Sequence, residues 1–176
     1  MIIKRKKLNF VQMQYRAELE AEYKEKIRRI AEEIKAGSFI TKKEQCRRLF
    51  DFFNQNIKYD YDILSGRREE GNFNTIYYQY KSGEISIGEK YAPILLKKGV
   101  CVSLSEAFKD ICDLLAIPCR VIHSGDKEVF DKHFQTPGHA WCEVTIDFTT
   151  STIDLDPHFL TFMGPRRATD KFEIKK

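Results

Sequence analysis

The sequence predicts an α+β fold in which helices come first and an antiparallel sheet follows. Residues 8–34 place apolar side chains at steps of three and four, which is the period of one helical face. Residues 102–115 form a second clean amphipathic pattern, and the segments after it alternate apolar and polar residues as strands do. Helices followed by a run of strands are typical of α+β domains.

Residues 1–56 are predicted to form an N-terminal helical arm of two helices. Gly37 and Ser38 interrupt the first helical pattern. Thr41 is the expected N-cap of the second helix, because Glu44 stands three residues later, at the spacing of a capping box. The second helix is expected to bury one apolar face, made of Leu49, Phe52, Phe53 and Ile57.

Residues 57–165 are predicted to form the core of the protein, and residues 166–176 a C-terminal tail. Alternation at residues 59–63 indicates a short strand or an extended edge. Residues 93–96 are expected to form a short helical turn before the 102–115 helix. Three further strands are expected, at residues 119–123, 138–147 and 152–156, with a hairpin-like turn between the last two. The remaining segments are expected to lack regular structure: a long ordered loop at 65–90 with a turn at Ser82-Gly83, a polar loop at 124–137, and an irregular stretch after Pro157.

Composition places the chain among globular proteins with a sizeable core, since 42% of its 176 residues are hydrophobic and 32% are charged. No apolar run approaches the ~20 residues that span a bilayer, and the basic residues at the start have no apolar segment behind them. Five cysteines in patterned segments fit a reducing compartment. A cytoplasmic location is therefore expected, although export by a route without a cleaved signal would leave no trace in the sequence.

Basic charge is concentrated in the first part of the chain. Residues 1–50 carry 14 Lys and Arg against 7 Glu, whereas residues 51–176 carry 16 against 19 acidic residues. The basic residues are mixed with glutamates, which favours a solvated helical face over a nucleic-acid-binding surface. We expect no nucleic-acid partner and no membrane partner, and the sequence leaves the oligomeric state open.

Cys101 is the residue that points to chemistry. It follows Gly99-Val100 and stands where the amphipathic helix should begin. A helix N-terminus offers free N–H donors and a partial positive charge, and both favour the thiolate form that a nucleophilic cysteine needs. Position therefore favours Cys101 over the other four cysteines.

The other cysteines are expected to be structural. Cys112 lies on the same helix but roughly 16 Å farther along its axis, so it cannot share a site with Cys101. The spacings of 11, 7 and 23 residues that separate Cys101, Cys112, Cys119 and Cys142 contain no Cys-x-x-Cys pair, so zinc is disfavoured. Cys46 falls in the middle of the second helix.

A histidine and two acids follow on predicted strands. His139 and Trp141 share one face of their strand, so His139 is a candidate general base and Trp141 a candidate substrate contact. Asp154 and Asp156 face the same way on the next strand, and periodicity leaves both open as the acid that accepts the second imidazole N–H. Cys101, His139 and one of these acids would form a catalytic triad.

These residues together resemble the transglutaminase-like cysteine-enzyme superfamily, part of the papain-like fold group. The resemblance covers about residues 90–160, and 57–60 look like the family's preceding segment. The matching motifs are Gly99-Val100-Cys101, residues 114–121 (LLAIPCRV), residues 139–144 (HAWCEV) and Leu155-Asp156-Pro157. The resemblance implies a nucleophile helix packed on an antiparallel sheet and preceded by helices. In the family the acid comes directly before the proline-type position, which selects Asp156, with Asp154 as the alternative.

The implied activity is acyl transfer or hydrolysis at a carboxamide or peptide bond, so the expected partner is a protein or peptide substrate. No phosphate loop, dinucleotide fingerprint or calcium-binding loop is present, and we expect no cofactor and no metal. The alternative is a catalytically silent transglutaminase-like scaffold that binds a protein through its helical arm.

Overall fold

The computed structural model describes residues 10–61, 76–124, 139–167 and 172–174. The described helices are α1 (Phe10–Lys35), α2 (Lys42–Asn56), α3 (Tyr91–Leu95) and α4 (Cys101–Leu114). The described strands are β1 (Lys58–Tyr59), β2 (Tyr77–Tyr80), β3 (Gly83–Ser86), β4 (Lys98–Gly99), β5 (Cys119–Ser124), β6 (Ala140–Ile146), β7 (Thr149–Asp154), β8 (Thr161–Gly164) and β9 (Phe172–Ile174). This order of elements confirms the α+β class.

Five of the strands form one antiparallel sheet in the order β8-β7-β6-β5-β9. In β5 and β6 the pairs Cys119–Val144 and Val121–Cys142 place small apolar side chains on the face that belongs to the main hydrophobic core. We call this the inner face. Alternate residues, among them Trp141, lie on the opposite, outer face. β8 and β9 lie at opposite edges of this sheet.

Helix α4 packs on the inner face and is the centre of the core. Its amphipathic stripe turns Leu104, Phe108 and Ile111 inward, where each is at most 3% exposed. The helix has 14 residues and ends at Leu114, with Leu115 as its C-cap. Ala116, with φ of 51°, turns the chain toward β5. The helix predicted at residues 102–115 and its packing on the antiparallel sheet are therefore confirmed.

Helices α1 and α2 pack against the other side of α4. The Tyr23 hydroxyl on α1 donates to Asp110 on α4 at 3.1 Å, and the ring of Phe53 on α2 meets that of Phe108 edge-on at 5.6 Å. Buried residues of both helices belong to the same hydrophobic cluster as α4. The boundary at residue 56 stays a prediction.

The local signals at the start of α2 are partly confirmed. The Thr41 side chain accepts the backbone N–H of Glu44 at 3.2 Å, as expected of an N-cap. Phe50 is buried, whereas Phe52 is only partly buried, so the buried face of α2 is rotated slightly from the one predicted.

Two predicted irregular regions contain strands. The described part of the 65–90 loop includes the β2–β3 hairpin, with Tyr80 paired to Gly83. The stretch after Pro157 contains β8 and β9, which extend the main sheet at its two edges. Both predictions were wrong because these strands are short and their pairing partners, rather than their own patterns, stabilise them. Most of the loop predicted at 124–137, and residues 62–75, lie outside the described residues.

A separate parallel pair, β1 and β4, sits beside the start of α4. Tyr59 pairs with Gly99, and the N–H of Asp60 donates to the Gly99 carbonyl at 2.9 Å. This pairing brings the segment after α2 next to the predicted nucleophile. Among the described residues, no helix is long and apolar enough to cross a membrane.

Candidate active site

Cys101 is the first residue of α4. Val100 is the N-cap, and the first turn contains no acidic side chain that would oppose a thiolate. The N–H of Leu104 bonds to the Val100 carbonyl at 2.9 Å, so the N–H groups of the residues before it have no partner within the helix. The predicted position of Cys101 at a helix N-terminus is confirmed, and the residue is 7% exposed.

Close packing fixes the turn that precedes Cys101. A Cβ at Gly99 would lie 2.9 Å from both the Pro93 ring and the Ser103 hydroxyl. Ser103 accepts the Val100 N–H at 3.0 Å and donates to the Val100 carbonyl at 3.1 Å, which closes the N-terminal turn. Only a residue without a side chain fits at position 99. Glycine is needed there because the Pro93 and Ser103 side chains lie so close to the backbone, and not because the backbone is left-handed.

His139 lies immediately before β6 and connects Cys101 to an acid. Its ring is hydrogen-bonded to the Cys101 sulfur, and its Nε2 lies 2.8 Å from Oδ2 of Asp154. Because Nε2 is engaged by Asp154, Nδ1 is the nitrogen left for Cys101. The structure therefore brings Cys101, His139 and Asp154 together in one hydrogen-bonded series.

The surroundings of His139 favour its charged form. Burial lowers the pKa of the ring, but the hydrogen bonds to Asp154 and Cys101 and the charges of both groups outweigh burial and raise this pKa to about 10. The ring stacks on Trp141 with centroids 5.9 Å apart and meets the Phe159 ring at 4.7 Å. These contacts fix the plane in which the imidazole lies.

The Asp154 carboxylate is fully buried, and the groups that hydrogen-bond to it are donors. Oδ2 accepts hydrogen bonds from His139 and from Arg167, whose Nη1 lies 2.7 Å away, and Oδ1 accepts the N–H of Asp156 at 3.1 Å. The Arg167 guanidinium also lies 4.9 Å from the centre of the Trp141 ring. Arg167 was missed by the sequence analysis, because it follows a segment expected to be irregular and no motif marks it.

In the structure Asp154, and not the expected Asp156, is the carboxylate bonded to the imidazole. The N–H of Asp156 bonds back to Asp154, and Oδ1 of Asp156 caps the N–H of His158 at 2.9 Å. These bonds end β7 and turn the Asp156 carboxylate toward Tyr59, whose hydroxyl donates to it. The strand alternation that would have aligned Asp156 with Asp154 stops at this turn.

Trp141 is fully buried next to the candidate site. Its ring stacks on the His139 ring, and the Arg167 guanidinium lies 4.9 Å from its centre. The structure places Trp141 against the imidazole, and a direct contact of its side chain with substrate stays a prediction.

The other four cysteines are buried or partly buried free thiols. Burial raises the pKa of Cys46 to about 12, and it also raises the pKa of Cys112 and of Cys142. Cys119 differs, because hydrogen bonds from Cys112 and Cys142 outweigh burial and lower its pKa to about 5. Among the described residues, no group of three or more His, Cys, Asp or Glu could hold a metal ion.

Comparisons with solved structures identify the fold. A crystal structure of a TGase superposes with a TM-score of 0.55 at 15% sequence identity, over 96% of this chain and 38% of that one. A crystal structure of a candidate cysteine protease from Cytophaga hutchinsonii gives 0.49 at 16% identity, over 86% of this chain and 46% of that one. No protein-family model and no curated protein matches the sequence. The chain spans less than half the length of these two structures, and what it shares with the TGase is a transglutaminase-like α+β fold.

Proposed function

We propose that the chain catalyses cysteine-dependent acyl transfer or hydrolysis at a carboxamide or peptide bond of a protein or peptide substrate. The observation that carries the proposal is the hydrogen-bonded series from Cys101 through His139 to Asp154 at the N-terminus of α4. A nucleophile, a base and a group that orients the base are the three parts that nucleophilic catalysis requires.

Each residue has a separate role. Cys101, as a thiolate beside the protonated His139, attacks the carbonyl carbon, and His139 then gives its proton to the leaving amine. Asp154 orients the imidazole and stabilises its charge, the role that the sequence analysis had given to Asp156. The backbone N–H of Cys101 binds the developing oxyanion, and such a donor contributes about 2.7–4 kcal/mol in other enzymes.

The acceptor in the second step decides the reaction. An amine gives transglutamination, whereas water gives deamidation or proteolysis. The same three residues serve all of these reactions. The product therefore depends on which molecule, an amine or water, reaches the acyl-enzyme.

Alkylation of the thiols by iodoacetamide at pH 6 tests the proposal, with each modified cysteine located by mass spectrometry. At this pH the His139 ring is protonated, and an adjacent imidazolium favours the reactive thiolate. Cys101 is expected to react faster than the same cysteine in the unfolded chain, and H139A is expected to remove this advantage. Cys46, Cys112 and Cys142 are expected to react slowly because they are buried and their pKa values are raised.

Cys119 is the control within the same chain. Its lowered pKa arises from Cys112 and Cys142, so H139A should leave its labelling rate unchanged. A Cys101 that reacts no faster in the folded protein than in the unfolded chain, or that is indifferent to H139A, would contradict the proposal. That outcome would favour the catalytically silent scaffold.

A further inference from the structure

Tyr59 is held next to the nucleophile by backbone pairing. It lies opposite Gly99 in the parallel β1–β4 pair, two residues before Cys101. Hydrogen bonds of 2.9 Å on either side, from Lys58 N–H to the Lys97 carbonyl and from Asp60 N–H to the Gly99 carbonyl, fix this register. The backbone of Tyr59 is therefore held beside the start of α4.

The Tyr59 hydroxyl touches the group that is expected to bind an oxyanion. Its oxygen accepts the backbone N–H of Cys101, and its hydrogen goes to Asp156. When a substrate carbonyl oxygen takes the Cys101 N–H in place of the phenol, the two oxygens become neighbours. The hydroxyl then needs only to rotate about its C–O bond to donate to the substrate oxygen.

Asp156 holds this hydroxyl in place. The carboxylate is 5% exposed, and its Oδ1 accepts the N–H of His158 at 2.9 Å. Burial of Tyr59, together with the charges of Cys101 and Asp156, raises the pKa of the phenol, so it keeps its proton at neutral and mildly alkaline pH. A phenol that stays protonated is a hydrogen-bond donor over the whole range in which the thiolate reacts.

We propose that the Tyr59 hydroxyl is the second donor to the oxyanion, beside the backbone N–H of Cys101, and that Asp156 is its positioning residue. The inference rests on the proposed function. As the sulfur–carbon bond forms, the π electron pair of the carbonyl moves onto its oxygen, which accepts both hydrogen bonds. The intermediate then collapses, the carbonyl re-forms, the leaving group departs with its electron pair, and Tyr59 keeps its proton throughout.

Two probes separate this role from a general effect on the nucleophile. p-Nitrophenyl acetate acylates Cys101 through a tetrahedral oxyanion and releases p-nitrophenolate. Iodoacetamide alkylates the same sulfur by displacing iodide at a saturated carbon, and no oxyanion forms. In Y59F the acylation rate constant is expected to fall about 10²–10³-fold, the loss typical of one oxyanion donor, with KM unchanged. The iodoacetamide rate at Cys101 is expected to match that of the wild type.

Y61F is the matched control. The Tyr61 ring lies 5.1 Å from that of Tyr59, and Tyr61 is 40% exposed, so removing its hydroxyl is expected to leave both rates unchanged. D156N keeps an oxygen that can accept the phenol proton and is expected to slow acylation less than Y59F does. Thermal unfolding of each variant establishes that the fold is retained.

Three results would overturn the inference. Acylation of Y59F at the wild-type rate would show that the phenol only packs, and faster acylation would show that it blocks the oxyanion position. An equal fall in both rates, in a folded variant, would place Tyr59 in support of the nucleophile instead. The proposed function fails differently: in that case the wild type itself shows no preferential reaction at Cys101 with either probe, and the inference fails with it.

Discussion

Replacement of Asp154 by Asn is expected to change the protonation state of His139. In the wild type the His139 pKa of about 10 means that the ring is protonated in about 99% of molecules at pH 8. D154N removes the carboxylate that holds Nε2 at 2.8 Å, while burial continues to oppose the charge. If the pKa returns to its usual ~6.5, about 3% of the rings are protonated at pH 8. The population that can protonate a leaving amine then falls about thirty-fold, before any loss of ring orientation.

The assay is nuclear magnetic resonance of the protein labelled with ¹³C-histidine, titrated from pH 5 to pH 10. The chain has four histidines, and H139Q identifies the His139 signal by its disappearance. The wild-type signal should not titrate below pH 9, and that of D154N should titrate at or below pH 7. D156N is the matched variant and should behave as the wild type, because its carboxylate bonds to Tyr59 rather than to the imidazole. A lowered His139 pKa in D156N, and not in D154N, would refute this reasoning and restore Asp156 as the acid.

Three further predictions follow from the same region. The folded pKa of His139 lies above its unfolded value, so its contribution to the free energy of unfolding is complete below pH 6.5 and is lost as the pH rises toward about 10; urea unfolding across this range should show the decline, and H139Q should flatten it. R167Q removes a charged hydrogen bond to the buried Asp154 and is expected to lower the free energy of unfolding by about 2 kcal/mol, and urea unfolding that matches the wild type would show that this bond is not needed. G99A brings a methyl group to 2.9 Å from the Pro93 ring and is expected to lower the melting temperature, with a cost of about 1–3 kcal/mol; a calorimetric scan identical to the wild type would show that the turn can relax.

The hydrophobic periodicity of the sequence was sufficient to predict the helices and strands that bury one whole face. The stripes of α1 and α4 and the alternation of β5, β6 and β7 are continuous patterns, and the structure places these elements close to the predicted bounds. The β2–β3 hairpin and the edge strands β8 and β9 were missed, because strands of three or four residues carry too few positions to show a period. Their place depends on which strands they pair with, and a pairing partner distant in the chain leaves no local signal.

The residues of the candidate site likewise divide into those that the sequence pattern indicates and those that depend on the tertiary structure. Cys101 and His139 could be found because a helix start and a strand start are visible in the sequence and a family resemblance links them. The choice between Asp154 and Asp156 depended on where β7 ends, and this is set by a backbone bond from Asp156 to the Asp154 carboxylate. Tyr59 depended on the parallel pairing with residue 99, for which two-residue strands give no pattern.

The candidate site depends in part on contacts that lie outside the main hydrophobic core. Residues 165–167 follow β8 on the outer face, where Arg166 bonds to Glu143 and Arg167 to Asp154. Because these contacts are separate from the core under α4, residues 165–167 are expected to open locally while α4 and the central strands stay protected. Hydrogen exchange at β8 is then expected to be faster than in the core, and each opening at Arg167 would release the Asp154 carboxylate without global unfolding.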